Sequence, residues 1–103
     1  MAKFHVRWHL NPLAVPENPE ERAKLWLSMF EMVKAKLDSG RLIDWGGYCD
    51  LSGGYAISQV DEAELLTALQ RLTPYIVFEV KSVLTVDHFK DSINKAVAEA
   101  KVK

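Results

Sequence analysis

Two histidines and an arginine alternate along the first stretch of the chain, Lys3–Leu10. His5, Arg7 and His9 occupy every second position. The residues between them are apolar: Phe4, Val6, Trp8 and Leu10. Successive side chains of a strand point to opposite faces, so the alternation predicts a strand with one apolar and one cationic face. Imidazole groups can transfer protons near neutral pH, and a guanidinium can hold a carboxylate or an enolate oxygen.

Two residues from later strands complete a candidate acid–base site. The candidate catalytic residues are His5, Arg7, His9, Tyr55 and Glu79. These side-chain types suit proton abstraction from, or oxygenation of, an activated aromatic or lactone without a cofactor. A second interpretation stays open, in which Arg7 pairs with Glu79 across adjacent strands and the histidines lie in a hydrated dimer interface.

Metal, nucleophile and phosphate chemistry are not expected. His5 and His9 would lie roughly 13 Å apart along a strand, too far to share one ion with bonds of about 2 Å. Nothing places an activating histidine beside Cys49, so we interpret it as an ordinary buried or edge cysteine. Two glycine pairs occur, Gly46-Gly47 and Gly53-Gly54, but strand residues and not a helix follow them. They therefore lack the geometry of a phosphate-binding loop, in which the glycines lead into a helix N-terminus.

Three helices are predicted around these strands. Asn18-Pro19-Glu20-Glu21 has the pattern of a cap and first turn, and the helix should run to about Asp38. Asp61 caps a second helix that Pro74 stops, and a terminal helix begins at about Asp87. The expected buried stripes are Trp26, Met29, Phe30, Val33 and Leu37; then Leu65, Leu66, Leu69 and Leu72; then Phe89, Ile93, Val97 and Ala100.

The remaining strands are predicted at Leu42–Asp50, Tyr55–Val60 and Tyr75–Leu84. Gly46-Gly47 should weaken or bulge the first of these, which suits an edge position. The order β-α-β-β-α-β plus a C-terminal helix predicts an α+β, ferredoxin-like sandwich with a four-stranded antiparallel sheet. Both long helices should lie on one face of the sheet, with the first and third strands central.

The expected sheet therefore has a covered face and an open face. The helices should cover Phe4, Val6, Trp8, Ile76, Phe78 and Val80. The open face carries the candidate site with Lys81, and only the last helix could cover it. The three tryptophans Trp8, Trp26 and Trp45 could form a ligand cage. Trp8 and Trp26 are instead expected in the core, while Trp45 fits either interpretation, and His88 is expected at the surface or in a helix cap.

Length and composition favour one globular domain, residues 1–103, with a core over 3–84 and a helix at about 87–101. Of the 103 residues, 49% are hydrophobic and 26% are charged, and the formal net charge is -1. That charge gives no reason to expect nucleic acid or an anionic membrane as partner. No apolar run approaches the ~18 residues of a membrane span. A lone cysteine rules out an internal disulfide and favours a cytoplasmic setting.

Several stretches resemble the dimeric α/β-barrel superfamily, which includes muconolactone isomerase and the antibiotic-biosynthesis monooxygenases. The similar stretches are the first strand with its Trp, the hairpin 50–57, Val60-Asp61 and the strand 78–84. The resemblance implies a homodimer in which two sheets pack face to face, with a pocket beside the open face. It implies a small organic ligand, aromatic or lactone-like, but no catalytic motif carries over. The alternative is a non-catalytic interaction or regulatory module that uses the sheet only to dimerise.

Overall fold

The computed structural model describes residues 2–102, so both ends of the predicted domain, Met1 and Lys103, lie outside the described residues. The elements are β1 (Lys3–Leu10), α1 (Pro19–Asp38), β2 (Leu42–Gly47), β3 (Gly53–Gln59), α2 (Glu62–Leu72), β4 (Ile76–Val83) and α3 (Val86–Val102). The strands form one antiparallel four-stranded sheet in the order β2-β3-β1-β4. The α+β class is confirmed, as are the central positions of β1 and β3 and the edge position of β2.

Side-chain caps set where the helices begin. The Asn18 Oδ1 atom accepts hydrogen bonds from the backbone N–H groups of Glu20 and Glu21 at 2.9 and 3.1 Å. Asp61 Oδ1 accepts from the Glu64 N–H at 2.8 Å. These bonds satisfy donors that have no partner inside the helix, which is why both predicted starts are confirmed.

The third cap is reciprocal. The Thr85 Oγ1 atom accepts from the backbone N–H of His88 at 3.2 Å, and the Thr85 N–H donates to His88 Nδ1 at the same distance. The predicted capping role of His88 is therefore confirmed.

Strand β2 differs from the prediction in length and in the place of its irregularity. It ends at Gly47, and the Tyr48 N–H closes the hairpin by donating to the Gly53 carbonyl at 2.7 Å. The ladder is shifted between Leu42 and Asp44, and not at Gly46-Gly47 as expected. An extra residue at a bulge reverses the faces of everything beyond it. Trp45 therefore shares the helix-covered face with Leu42, while Asp44 lies on the open face.

The core is small and is centred on the two middle strands. Its buried residues are Phe4, Val6, Ala56, Val60 and Leu65. Partly buried side chains pack around it: Leu42, Trp45, Leu69 and Phe78. Three residues that the sequence placed in the buried stripes of α1 and α2 are exposed instead: Phe30, Leu37 and Leu66. Val80, expected under the helices on the covered face of the sheet, is also exposed. Leu66 follows the buried Leu65 and is rotated by about 100° around the helix toward solvent.

Helix α3 lies apart from the core. All its described side chains are exposed, including the predicted stripe of Phe89, Ile93, Val97 and Ala100. The molecule measures 64 × 28 × 25 Å, an elongation that agrees with a projecting helix. The prediction that this stripe is buried is wrong for the single chain, and α3 leaves Val77 and Val83 on the open face exposed.

Glycines of the β2–β3 hairpin make room for aromatic rings on both faces of the sheet. A Cβ atom on Gly54 would lie 2.5 Å from Cζ2 of Trp8, because that indole lies flat over the glycine. A Cβ atom on Gly46 would lie 2.5 Å from Cε1 of Tyr55 on the other face. Each glycine therefore holds open the space that one ring occupies.

We expect Gly54→Ala to lower the free energy of unfolding by roughly 1–3 kcal/mol, the usual cost of overpacking, because the methyl group would collide with the Gly46 carbonyl oxygen and with the Trp8 ring. Gly47→Ala in the same hairpin is the matched control, since its Cβ atom would meet nothing closer than 3.4 Å. Urea denaturation of both variants measures the difference. Equal midpoints for the two variants would contradict the packing of Trp8 over Gly54.

Candidate functional site

The structure places all the candidate catalytic residues on the open face of the sheet. Arg7 lies opposite Tyr55 on β3 and opposite Glu79 on β4. His5 and His9 lie two positions before and after Arg7 on the same face of β1. Their common face follows from strand alternation and the antiparallel register.

Only some of these side chains share a hollow. A depression of about 220 Å³ on the open face is lined by three of them, Arg7, His9 and Glu79. His5 and Tyr55 do not line it. The structure therefore separates the two histidines that the sequence placed in one site.

The arginine and the glutamate form an exposed ion pair. Arg7 Nη1 lies 3.6 Å from Glu79 Oε2, and the side chains are 66% and 65% exposed. An ion pair this exposed contributes little to stability, at most about 1 kcal/mol. Both groups therefore remain available to a ligand or to a second protein surface.

Tyr55 has a partner that the sequence did not suggest. Its hydroxyl donates a hydrogen bond to Asp44 Oδ2 at 2.7 Å. This bond raises the pKa of Tyr55, because the carboxylate stabilises the protonated hydroxyl, and desolvation adds to the shift. Asp44 reaches the open face only because of the β2 bulge, and neither its residue type nor its spacing signals that position.

Other site chemistry finds little support in the described part of the chain. Within residues 2–102, no three His, Cys, Asp or Glu side chains lie close enough together to hold a metal ion. Cys49, predicted as a buried or edge cysteine, is exposed.

No helix among the described residues is both long and apolar enough to cross a membrane.

A larger hollow, which we call the indole cavity, lies on the other side of the sheet. It has a volume of about 310 Å³ and is enclosed by the helix-covered sheet face, α1 and α2. Its aromatic and sulfur-containing lining includes Trp8, Trp26, Trp45, Met29, Phe30 and Phe78. The volume is at the lower end of the range for small-molecule sites, and the walls are mainly apolar, as such sites usually are.

The tryptophans of this cavity form a flat aromatic wall. The Trp8 and Trp45 rings stack with centroids 5.4 Å apart and planes inclined by 17°. Phe30 meets Trp45 edge-on at 5.9 Å. Each geometry is a favourable arrangement of two ring quadrupoles, so the wall is pre-formed.

Two indole N–H groups at the cavity lack hydrogen-bond partners. Nε1 of Trp8 and Nε1 of Trp26 are both buried, and among the described residues neither finds an acceptor. An indole nitrogen can only donate, and a buried donor without a partner costs about 1–3 kcal/mol. A ligand that brings acceptor atoms into the cavity would remove that cost.

The prediction for the tryptophans is therefore corrected in part. Trp8 and Trp26 lie on the apolar faces of their elements, as expected, but they are half-buried and line a cavity where a filled core was expected. Trp45, left open by the sequence, lies on the same face. The only signal for this cavity in the sequence was the presence of three tryptophans, one of which, Trp45, directly precedes a glycine pair.

Comparison with known proteins does not extend these observations. No family model matches the chain, and no curated protein is recognisably similar to it.

We expect Asp44→Asn to lower the pKa of Tyr55 toward the ordinary tyrosine value of about 10, because it removes the carboxylate. An ultraviolet absorbance titration measures this, with Tyr55→Phe identifying the signal among the three tyrosines. Since the pKa of Tyr55 is raised in the folded state, the stabilisation is present below about pH 10 and is lost as the pH rises through the folded-state pKa. An unchanged titration in Asp44→Asn would contradict the hydrogen bond.

Proposed function

We propose that this protein binds a small, flat, largely apolar organic molecule in the indole cavity. The observation that carries the proposal is the pair of unpartnered indole N–H groups of Trp8 and Trp26 at an apolar hollow of about 310 Å³. A binding site typically combines apolar walls with a few convergent polar groups. Here the two donors belong to residues that line the cavity.

The chemistry of the walls defines the class of ligand. The stacked rings of Trp8 and Trp45 offer a flat surface that suits an aromatic or lactone ring. The indole donors of Trp8 and Trp26 suit carbonyl, ether or ring-nitrogen acceptors on that molecule. The resemblance to dimeric α/β-barrel proteins implies a pocket beside the open face instead, so it does not bear on the ligand of this cavity.

The fold that accompanies this proposal is a ferredoxin-like sandwich. The strand order β2-β3-β1-β4 supports it, with α1 and α2 both lining the cavity on one face of the sheet. We propose that two such sheets associate through their open faces into a dimeric α/β barrel. Enzymatic activity and a cytoplasmic location stay predictions from the sequence.

The open face supports association with a second copy. It combines the exposed valines Val77 and Val83 with charges of both signs, including Arg7 and Glu79. Apolar side chains interspersed with opposite charges make a face that can pair with itself around a two-fold axis. Such packing would enclose the candidate acid–base residues between the two sheets. A catalytic role for them would therefore require the dimer.

The cavity proposal is tested with the neutral dye N-phenyl-1-naphthylamine, whose fluorescence increases in apolar surroundings. We expect the wild type to bind it and Ala68→Trp to bind at least about tenfold more weakly, a loss of about 1.4 kcal/mol, because the new side chain fills the cavity. Ala68 lines the cavity from α2.

The matched control is Ala63→Trp, which adds the same side chain at an exposed position of α2 outside the cavity lining. Melting temperatures close to that of the wild type are the check that both variants remain folded. Equal dye binding by Ala68→Trp and the wild type would contradict the proposal, and so would the absence of any binding.

Dimerisation is tested by sedimentation velocity at micromolar concentration. We expect a dimer for the wild type and a monomer for Val77→Asp, because a new carboxylate would be desolvated in the interface. Leu66→Asp is the control, since Leu66 is 58% exposed on α2, outside the sheet. A monomeric wild type, or a Val77→Asp dimer as tight as the wild type, would rule out association through this face.

A further inference from the structure

The rim of the indole cavity carries a charge that the proposed function does not use. Among residues 2–102, the charged side chains lining the cavity are Lys36, Arg41 and Glu64. Lys36 comes from the last turn of α1, Arg41 precedes β2, and Glu64 lies in the first turn of α2. The rim is therefore built by three separate segments.

Two of these charges compensate each other. Arg41 Nε donates to Glu64 Oε1 at 2.6 Å, which is a short, charge-assisted hydrogen bond. A second guanidinium nitrogen, Nη1, contacts the Ser39 hydroxyl at 3.5 Å. Glu64 therefore neutralises Arg41, and this pair adds no net charge to the rim.

Lys36 has no such counterion. Within the described part of the chain, no carboxylate lies within the 4.0 Å of its ammonium group that defines an ion pair. The C-terminal end of a helix favours a cation, which accounts for a lysine in this turn but not for its place at the cavity lining. Lys36 is half-buried and lines the cavity. A lysine in such a position typically packs its aliphatic stem against apolar surface and keeps its ammonium group in water.

We propose that the ligand of the indole cavity is an organic monoanion whose acidic group pairs with Lys36 while its apolar ring lies against the stacked indoles. This inference rests on the proposed function and specifies the ligand class. One uncompensated cation at the rim of an otherwise apolar cavity complements one carboxylate, sulfonate or enolate group. The indole N–H groups of Trp8 and Trp26 are neutral hydrogen-bond donors, so they leave the match of one cation to one anion unchanged.

Two dyes with the same ring frame test this inference. Anilinonaphthalene sulfonate differs from N-phenyl-1-naphthylamine by one sulfonate group. We expect the wild type to bind the sulfonated dye roughly two- to fivefold more tightly than the neutral dye, the range of a partly exposed ion pair. Raising the salt concentration should reduce that preference, because salt screens exposed charges.

Lys36→Met keeps the length of the side chain and removes its charge. We expect this variant to bind the sulfonated dye no more tightly than the neutral dye. The ratio of the two affinities is the readout, because a change in the apolar lining affects both dyes alike. Retained binding of the neutral dye also shows that the cavity remains folded. Lys34→Met is the matched control, since Lys34 is exposed on α1 and does not line the cavity; it should leave both affinities unchanged.

The outcomes separate this inference from the proposed function. Binding of the neutral dye without a preference for the sulfonated dye would overturn the role of Lys36 and leave the cavity proposal intact. The same holds if Lys36→Met keeps the full preference, or if Lys34→Met loses as much of it. Failure of both dyes to bind the wild type would overturn the ligand site together with this inference.

Discussion

The ladder shift between Leu42 and Asp44 offsets β2 by one residue against β3, and both faces of the sheet depend on that offset. Beyond the bulge, Trp45 turns toward the helices and stacks on Trp8, while Asp44 turns to the open face and accepts the Tyr55 hydrogen bond. Because side chains alternate with a period of two, a ladder without the extra residue would exchange these positions. An edge strand can accommodate such a bulge, since only one neighbour must adjust.

The cavity and the small core have the same origin. Bulky indoles lie flat over a hairpin in which glycines leave no side chains, so the rings occupy the sheet surface without filling the space beneath the helices. That space costs stability, because lining atoms lose dispersion contacts and two indole donors find no acceptor among the residues that the structure describes. A protein that keeps such a cavity gives up stability that a filled core would provide. Ligand binding to the folded state can restore part of it.

The open face has a different energetic character. Its Arg7–Glu79 pair is too exposed to contribute much in the single chain, and its valines remain in contact with water. Packing against a second sheet would desolvate both kinds of group at once. They would therefore contribute to the free energy of dimerisation more than to that of folding. The apolar stripe of α3 is also in contact with water in the single chain, since Phe89 and Ile93 are exposed.

The sequence by itself determined the elements and the faces of the central strands. Alternation placed His5, Arg7 and His9 opposite Trp8, and the Asn18 and Asp61 caps located two helix starts, because these signals act within a few residues. Only the tertiary structure decided how far the helices cover the sheet, where β2 bulges and which face Trp45 occupies. Those features depend on register against a neighbouring strand and on the distance between packed elements. Neither quantity is encoded in local periodicity, which is why Trp8 was expected in a filled core and instead lines a cavity.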